Sequence, residues 1–476
     1  MVEERNEKAF FDALQKVADE IKKREEIVVV YHYDADGISS GAIAIKALER
    51  EGKKVSSLCL KQLYKENIQE IQSLGKTFLF VDFGSGQLDY LLSELGEKNI
   101  FILDHHNPLK VNGMDLSSAH HVNPLLFGID GGKEISGAGT TFFFALALNK
   151  KNSDLAGIAM VGALGDMQDF SGELVGLNRE ILAIGQKEKI ISLKKDLRLY
   201  GRISRPLISF LLFSSSPVLP ELTAKEENCI AFLKENDIPL KDPFTDEWLS
   251  YEDLSLAQKK QLTSALIIHL TSFNVPEWKI KELIGEVYTL EKELPKSPLR
   301  DGKEFATLLN SCGRHKEPEV ALAVCIGDRR IDGEYGKALA LMAEHRTALR
   351  RGIEFINEHG IEERKSFYFF DSGTEIQDSL VGIIAGMLYG SVIQENKPII
   401  ALARNEDETV KISGRATSAL VRKGINLGLA FKEIGLELRG VEGGGHKIAA
   451  GCKIEKEVLD EFLDLLEVKI FSQLQN

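Results

Sequence analysis

The chain has 476 residues, 43% apolar and 28% charged, with 59 basic against 72 acidic side chains and a net charge of −13. That length suggests about three domains at ~150 residues each, and no apolar run nears the ~18–20 residues that a membrane span needs. The acidic balance argues against a general electrostatic affinity for nucleic acid, and five scattered cysteines with no C-x-x-C pair argue against a disulfide framework or a zinc knuckle.

The opening stretch, Met1 to Glu26, is charged and amphipathic and has no signal-peptide core, so a cytoplasmic protein with no membrane attachment is expected. Residues 9–24 carry Phe11, Leu14, Val17 and Ile21 at helical spacing. Ile27–Tyr31 is a β-branched strand ending in His32-Tyr33-Asp34-Ala35-Asp36-Gly37, and an alanine-rich helix, Ile38–Arg50, follows. Val55–Leu60 and Phe78–Val81 read as strands, the latter ending in Asp82-Phe83-Gly84. Ile100–Leu103 is a fourth strand, stopped by Asp104, His105 and His106 before Asn107-Pro108. Ser136–Thr140 opens a helix through Leu148; it is either an anion-receiving helix N-terminus or a plain capped glycine loop. Asp154–Leu164 reads as a buried helix running into Gly165-Asp166.

Asn178–Tyr200 reads as a helix whose later half is basic (Lys187, Lys189, Lys194, Lys195, Arg198), a solvated face or a nucleic-acid contact. From Pro217 to Pro298 glycine nearly vanishes and helical periodicity dominates. Thr223 is expected to cap a helix through Lys234, Ser255 to start one through Leu270, and Pro276 to open one through Val287. Helices over Asp301–Arg314 and Asp328–Arg351 come next. Strands at Phe367–Phe370, Pro398–Arg404 and Thr409–Ser413, with helices at Leu380–Tyr389 and Leu459–Leu474, make a second, smaller α/β unit. The expected architecture is α/β: an N-terminal parallel-sheet domain (1–205), a helical insertion that packs or docks a partner (206–299), a helical connector (300–352) and a smaller C-terminal α/β domain (353–476).

Three apolar strands end in carboxylates or histidines, and in a parallel sheet those ends lie side by side, where ligands bind. Asp34, Asp36, Asp82, Asp166 and His105 form a hard, oxygen-rich donor set without thiolates, which suits Mn²⁺ or Mg²⁺ rather than structural zinc. Four carboxylates carry more charge than one divalent ion neutralises, so two ions are expected, the arrangement that hydrolyses phosphate esters with metals ~3.5–4 Å apart. Asp82, alone on its strand end, is the candidate bridge. His106 is the candidate proton or hydrogen-bond donor to the phosphate, and Asp104 the carboxylate that orients a histidine. Gly443, Gly444 and Gly445 before His446 read as an anion-binding turn or a simple tight turn. Ser413-Gly414-Arg415 offers a hydroxyl and a guanidinium for phosphate.

Taken together and in order, these motifs resemble the DHH phosphoesterase superfamily and its RecJ-like group. Y-D-A-D-G-I-S at Tyr33–Ser39, V-D-F-G at Val81–Gly84, D-H-H at Asp104–His106 and G-D at Gly165–Asp166 look like its four motifs. L-N-S-C-G-R at Leu309–Arg314 is similar to a RecJ element, and S-G-R with G-G-G-H looks like the accessory DHHA1 domain. The resemblance implies metal ligation by Asp34, Asp36, Asp82, His105 and Asp166 and substrate contacts from Arg314, Arg415 and His446. The expected cofactor is two divalent ions, Mn²⁺ preferred, and Ser413, Gly443, Gly444 and Gly445 are further candidate substrate contacts. His32 stands where RecJ proteins usually have aspartate, and it is carried as a sixth candidate ligand outside the matched set. The helical stretch in place of a bacterial OB-fold resembles archaeal RecJ homologues, which associate with the GINS complex of replication. The activity implied is a metal-dependent phosphodiesterase, a single-strand-specific 5′→3′ exonuclease on DNA, or also RNA, that releases mononucleotides in replication or repair. Two alternatives stand beside it: a phosphoesterase of short oligoribonucleotides, cyclic dinucleotides or bisphosphorylated nucleotides, favoured by the negative charge, and a non-catalytic replication scaffold.

Overall fold

The computed structural model describes residues 5–109, 120–214, 217–390, 392–405 and 409–475. The chain divides into two compact units, Met1–Leu211 with Cys229–Met342, and Leu212–Asn228 with Ala343–Asn476. No helix among the described residues is long and apolar enough to cross a membrane.

In the first unit, β1 (Glu26–His32), β2 (Lys54–Leu60), β3 (Phe78–Val81), β4 (Ile100–Leu103) and β5 (His120–Val122) form one sheet in the order β2-β1-β3-β4-β5. Every pairing in it is parallel. The central strands β1, β3 and β4 are covered on both faces, so their runs Ile27–Tyr31, Phe78–Val81 and Ile100–Leu103 are apolar instead of alternating with polar residues. Ile27, Val29 and Tyr31 of β1 join a core with α1 (Glu7–Lys22), α2 (Ala35–Arg50), α5 (Gly137–Leu148) and α6 (Ala156–Gly165). Val28 and Val30 face the other way, into Ile71, Leu88 and Leu91 of α3 (Asn67–Leu74) and α4 (Leu88–Leu95). The strand order reverses between β1 and β3, and in such sheets the crevice outside the carboxyl ends at that point is where ligands bind.

After α7 (Leu177–Lys187) the structure departs from the expected long basic helix. Ile191–Leu197 is a strand, β6, paired antiparallel with β7 (Ile284–Leu290). The helix expected from Pro276 to Val287 is only α11 (Glu277–Lys281), because β7 takes the rest. These two strands are the stem of the insertion, whose body holds α8 (Leu207–Leu212), α9 (Glu226–Glu235) and α10 (Leu256–Ser272). Ser255 closes α10 with a full capping box. Thr223 does not cap α9: its hydroxyl accepts from the Leu219 amide and donates to the Ser214 carbonyl, and the helix starts three residues later. Lys187, Lys189, Lys194 and Lys195 are exposed, whereas Arg198 is drawn inward onto Asp169 and Arg202 onto Asp196. Beyond the stem come α12 (Gly302–Arg314), α13 (Pro318–Ile326) and α14 (Glu334–His359). The last starts after a turn in which Asp328 takes the Arg330 amide.

The second unit is a mixed six-stranded sheet of β8 (Glu362–Glu363), β9 (Tyr368–Asp371), β10 (Ile399–Arg404), β11 (Thr409–Arg415), β12 (Glu442–Gly445) and β13 (Ala449–Glu455), in the order β12-β13-β11-β10-β9-β8. Its helices are α15 (Asp378–Met387), α16 (Ser418–Arg422), α17 (Leu427–Glu437) and α18 (Leu459–Gln475). Tyr368, Phe370 and Ile399 pack with α15 on one face, while Ile400, Ile412 and Ile454 meet α17 and α18 on the other. Gly443–Gly445 is not a turn but strand β12, paired with Ala450–Cys452. A Cβ on Gly443 would crowd the Phe431 backbone, so the glycine is there for close approach of α17.

Candidate metal centre

Asp34 ends β1 as the N-cap of α2, its carboxylate accepting from the Gly37 amide at 3.0 Å. Asp36, two residues on, is buried, and its two oxygens take the amides of Gly137 (2.7 Å) and Ala138 (3.0 Å). The anion at the N-terminus of α5 is therefore the protein's own Asp36. Asp82 follows β3 with φ +67°, a left-handed conformation that is strained for a non-glycine residue. Gly137 lies so close to it that a Cβ there would run into the Asp82 carboxylate.

His105 follows β4 and donates from Nδ1 to the Gly131 carbonyl at 2.6 Å. That fixes the tautomer and turns the Nε2 lone pair toward Asp82 (3.1 Å), Asp166 (3.3 Å) and Asp36 (3.5 Å). His32 Nδ1 stands 3.0 Å from Asp34 and 3.6 Å from Asp82. Among the described residues, three groups have metal-ligand spacing: Asp36–His105–Asp166, His32–Asp34–Asp82 and Asp82–His105–His106. Asp82 Oδ1, His105 Nε2 and His32 Nδ1 are buried with no hydrogen-bond partner. Buried polar atoms of this kind are costly, and lone pairs aimed at one another fit a shared divalent cation.

The protonation pattern reports the same crowding. Burial, with the charges of Asp82 and Asp166, pushes Asp36 well above the ordinary carboxylate range. Asp166 is pushed up to about 6 by burial and by Asp82 and Asp34, against the pull of His105. Burial opposes charge on His105 and His32, yet their aspartate neighbours hold both well above the usual histidine value.

Asp104 is buried and saturated. Its Oδ1 accepts from the His105 and His106 amides and from His106 Nδ1 at 2.9 Å, and its Oδ2 accepts from the Ser85 amide. Burial works against its charge, but His106 draws its pKa well below the usual value. Three residues not singled out from the sequence complete this support. Ser85 Oγ meets His121 Nε2 at 2.8 Å, and Asn123 Nδ2 donates to Ser85 Oγ and to the His106 carbonyl.

Arg314 is half-buried beside Tyr33 and Asp34: burial lowers its pKa and both neighbours oppose that. Its helix is seated there by two residues of the L-N-S-C-G-R element. Asn310 Oδ1 accepts from the Ala35 amide at 3.0 Å, and Gly313 presses on the Tyr33 carbonyl where a side chain would not fit. Asn310 is a site-supporting residue that lay unnoticed inside a quoted motif. In the second unit, Ser413 is buried in β11, Arg415 at the strand's end donates to the Gly414 carbonyl, and His446 is exposed beyond β12.

The known families divide the chain along these lines. The DHH family, N-terminal domain, matches residues 26–163, the DHH-CID domain 199–284 and the DHHA1 domain 367–470. The parallel sheet and its acidic rim lie in the stretch that matches the DHH N-terminal domain, apart from Asp166 just beyond it. Along its length the chain therefore matches a DHH N-terminal domain, a DHH-CID domain and a DHHA1 domain, in that order. It is 29% identical over 478 residues to an uncharacterized protein of Methanocaldococcus jannaschii, covering 97% of this chain and 98% of that one. Its fold is similar to Cdc45 from Entamoeba histolytica (TM-score 0.66, 15% identity, covering 98% of this chain and 99% of that one). It is also similar to RecJ from Thermus thermophilus in complex with Mn²⁺ (TM-score 0.58, 18% identity, 98% of this chain), of which it spans 55%.

Proposed function

We propose that the protein is a two-metal phosphodiesterase acting as an exonuclease on single-stranded nucleic acid, with DNA as first substrate. The observation that carries this reading is the convergence of Asp34, Asp36, Asp82, His105 and Asp166 on one rim with buried lone pairs left unmatched. Asp82 belongs to two of the three ligand groups, which supports its place as the bridge, and His32, grouped with Asp34 and Asp82, joins the ligand set. The Mn²⁺ bound by the Thermus RecJ supports the metal choice. Divalent cations held there would polarise a phosphate ester and lower the pKa of the attacking water.

The chain's own groups do the rest. His106 is anchored through Nδ1 to Asp104, which, against burial, raises its pKa and favours a protonated ring able to donate to the phosphate. The guanidinium of Arg314 takes phosphate oxygens beside the rim. In the second unit, Arg415, Gly443, Gly444, Gly445 and His446 are the candidate contacts to a nucleotide chain; Ser413 is buried in β11. The exposed Phe244, Trp248 and Trp278 of the insertion support docking of replication proteins there, the GINS complex among them. Digestion of 5′- and 3′-labelled single strands of DNA and RNA with Mn²⁺, Mg²⁺ or chelator tests the reading. Metal-dependent release of mononucleotides is expected, and Asp82→Ala should lose it by about a hundred- to a thousandfold, the scale of a lost principal electrostatic group. Equal products from both proteins would refute it.

A short-substrate phosphoesterase remains the second reading, favoured by the net charge of −13 and by Arg198 and Arg202 being engaged within the fold. Rates on dinucleotides against strands of about 20 nucleotides separate the two, because only an extended groove gains from added phosphate contacts.

A further inference from the structure

The turn that carries Asp166 is held from outside by the stem of the insertion. Arg198, the first residue past β6, donates from Nη2 to the Asp169 carbonyl (2.7 Å) and to its carboxylate (2.6 Å). Lys303, at the start of α12, reaches the same carboxylate oxygen at 2.7 Å. From the other stem strand, the Glu286 amide donates to the Gly172 carbonyl at 2.8 Å, and the Tyr288 hydroxyl accepts from the Leu174 amide at 2.8 Å. Gly285 lies between them, where a Cβ would run into both Arg198 and the Gly172 carbonyl. The Arg198 amide donates to Leu283 and closes the stem at this point. The Arg198 and Asp169 side chains are 9% and 3% exposed, so the pair is desolvated and depends on its geometry.

The inner side of the turn is tied to the rim. Gln168 Nε2 donates to the Gly131 carbonyl, the same oxygen that receives His105 Nδ1, and its own carbonyl oxygen accepts from Asn178 at 2.7 Å. Consecutive residues, Gln168 and Asp169, therefore link the shell of His105 to the insertion stem. Met167, between them and Asp166, is held at φ +56°, a conformation that only surrounding contacts maintain.

We propose that Arg198 is a positioning residue of the metal centre: with Gly285 it makes the insertion stem the outer wall that sets where the Asp166 carboxylate sits. This rests on reading Asp166 as a ligand. The residue that opens the insertion and the residues that close it grip one turn, so the insertion is continuous with the rim's construction. Outer partners of this kind commonly change metal affinity by 10–100-fold.

The test uses the full chain. Mn²⁺ affinity and stoichiometry are measured by calorimetry, and backbone amide exchange is followed over residues 166–174. Arg198→Met is expected to weaken one Mn²⁺ site by about tenfold or more and to speed exchange in the turn. Gly285→Ala should do the same by displacing Arg198 and the Gly172 carbonyl together, and Arg198→Lys should recover part of the affinity. Lys194→Met serves as control: Lys194 lies on the same stem strand and pairs with Glu252 at 3.2 Å, so it should change neither readout. If Arg198→Met does not fold, Gly285→Ala and Arg198→Lys decide. Wild-type Mn²⁺ affinity in the variants, or unchanged exchange in the turn, overturns the proposal. A wild-type chain that binds no Mn²⁺ overturns the metal reading itself, which differs from a failure confined to Arg198.

Discussion

At the scale of single residues, the rim depends on positions that carry no charge. Gly137 lets Asp82 and the first turn of α5 approach, and α5 in turn offers its amides to Asp36. Gly137→Ala places a methyl against the Asp82 carboxylate in a site with no slack. Overpacking of this kind costs about 1–3 kcal/mol, and here the displaced group is the proposed bridging ligand. The variant is expected to fold with lowered stability and to lose most Mn²⁺ affinity, read by denaturant melts and metal titration. Gly52→Ala is a fair comparison, since its Cβ would meet nothing within 4 Å and only its left-handed φ of +73° is strained. Equal metal affinity in the two variants would show that the close approach at Gly137 is dispensable.

At the scale of elements, the insertion stem rests on a buried charge network whose sign can be checked. Asp196 of β6 receives Arg202 Nη2 at 2.8 Å and the Tyr251 hydroxyl at 2.6 Å. Burial raises its pKa, but Arg202 and Tyr251 outweigh that and hold it at about 2, against an ordinary 3.8. A depressed carboxylate contributes stability that is fully present above the unfolded value and lost as pH falls through the folded one. The difference is worth about 2 kcal/mol. Wild type should therefore exceed Asp196→Asn by about that amount above pH 4, with the gap narrowing toward pH 2 in urea melts. A gap independent of pH would place the effect elsewhere. This element was also the least legible in the sequence. The rim could be read because β1, β3 and β4 are short unbroken apolar runs, each ended by its own ligand candidates. β6 shows Ile191, Leu193 and Leu197 interrupted by lysines, and its partner lies about ninety residues on, so nothing local distinguishes it from a basic helix. The strand at Gly443–Gly445 was illegible for a similar reason: the close approach of Phe431 to Gly443, and of Ala449 and Ala450 to Gly445, is a tertiary fact.

At the scale of the whole molecule, two units with separate cores are joined by a chain that passes between them three times, after Leu211, after Asn228 and after Met342. The second unit takes Leu212–Asn228 from the insertion, so a fragment starting at Ala343 would lack part of it, and the intact chain is the proper object of study. All candidate ligands, Asp34, Asp36, Asp82, His105, Asp166 and His32, belong to the first unit. A ligand that binds only the native state stabilises what it binds, by about 3 kcal/mol at a hundred times its Kd. Calorimetric unfolding is accordingly expected to show two transitions. Saturating Mn²⁺ should raise one by several degrees and leave the other in place. Asp82→Ala should abolish the shift without touching the second transition. A single transition, or two that rise together with Mn²⁺, would mean that the two cores unfold as one cooperative body. The metal centre would then stabilise the DHHA1 unit as well as its own.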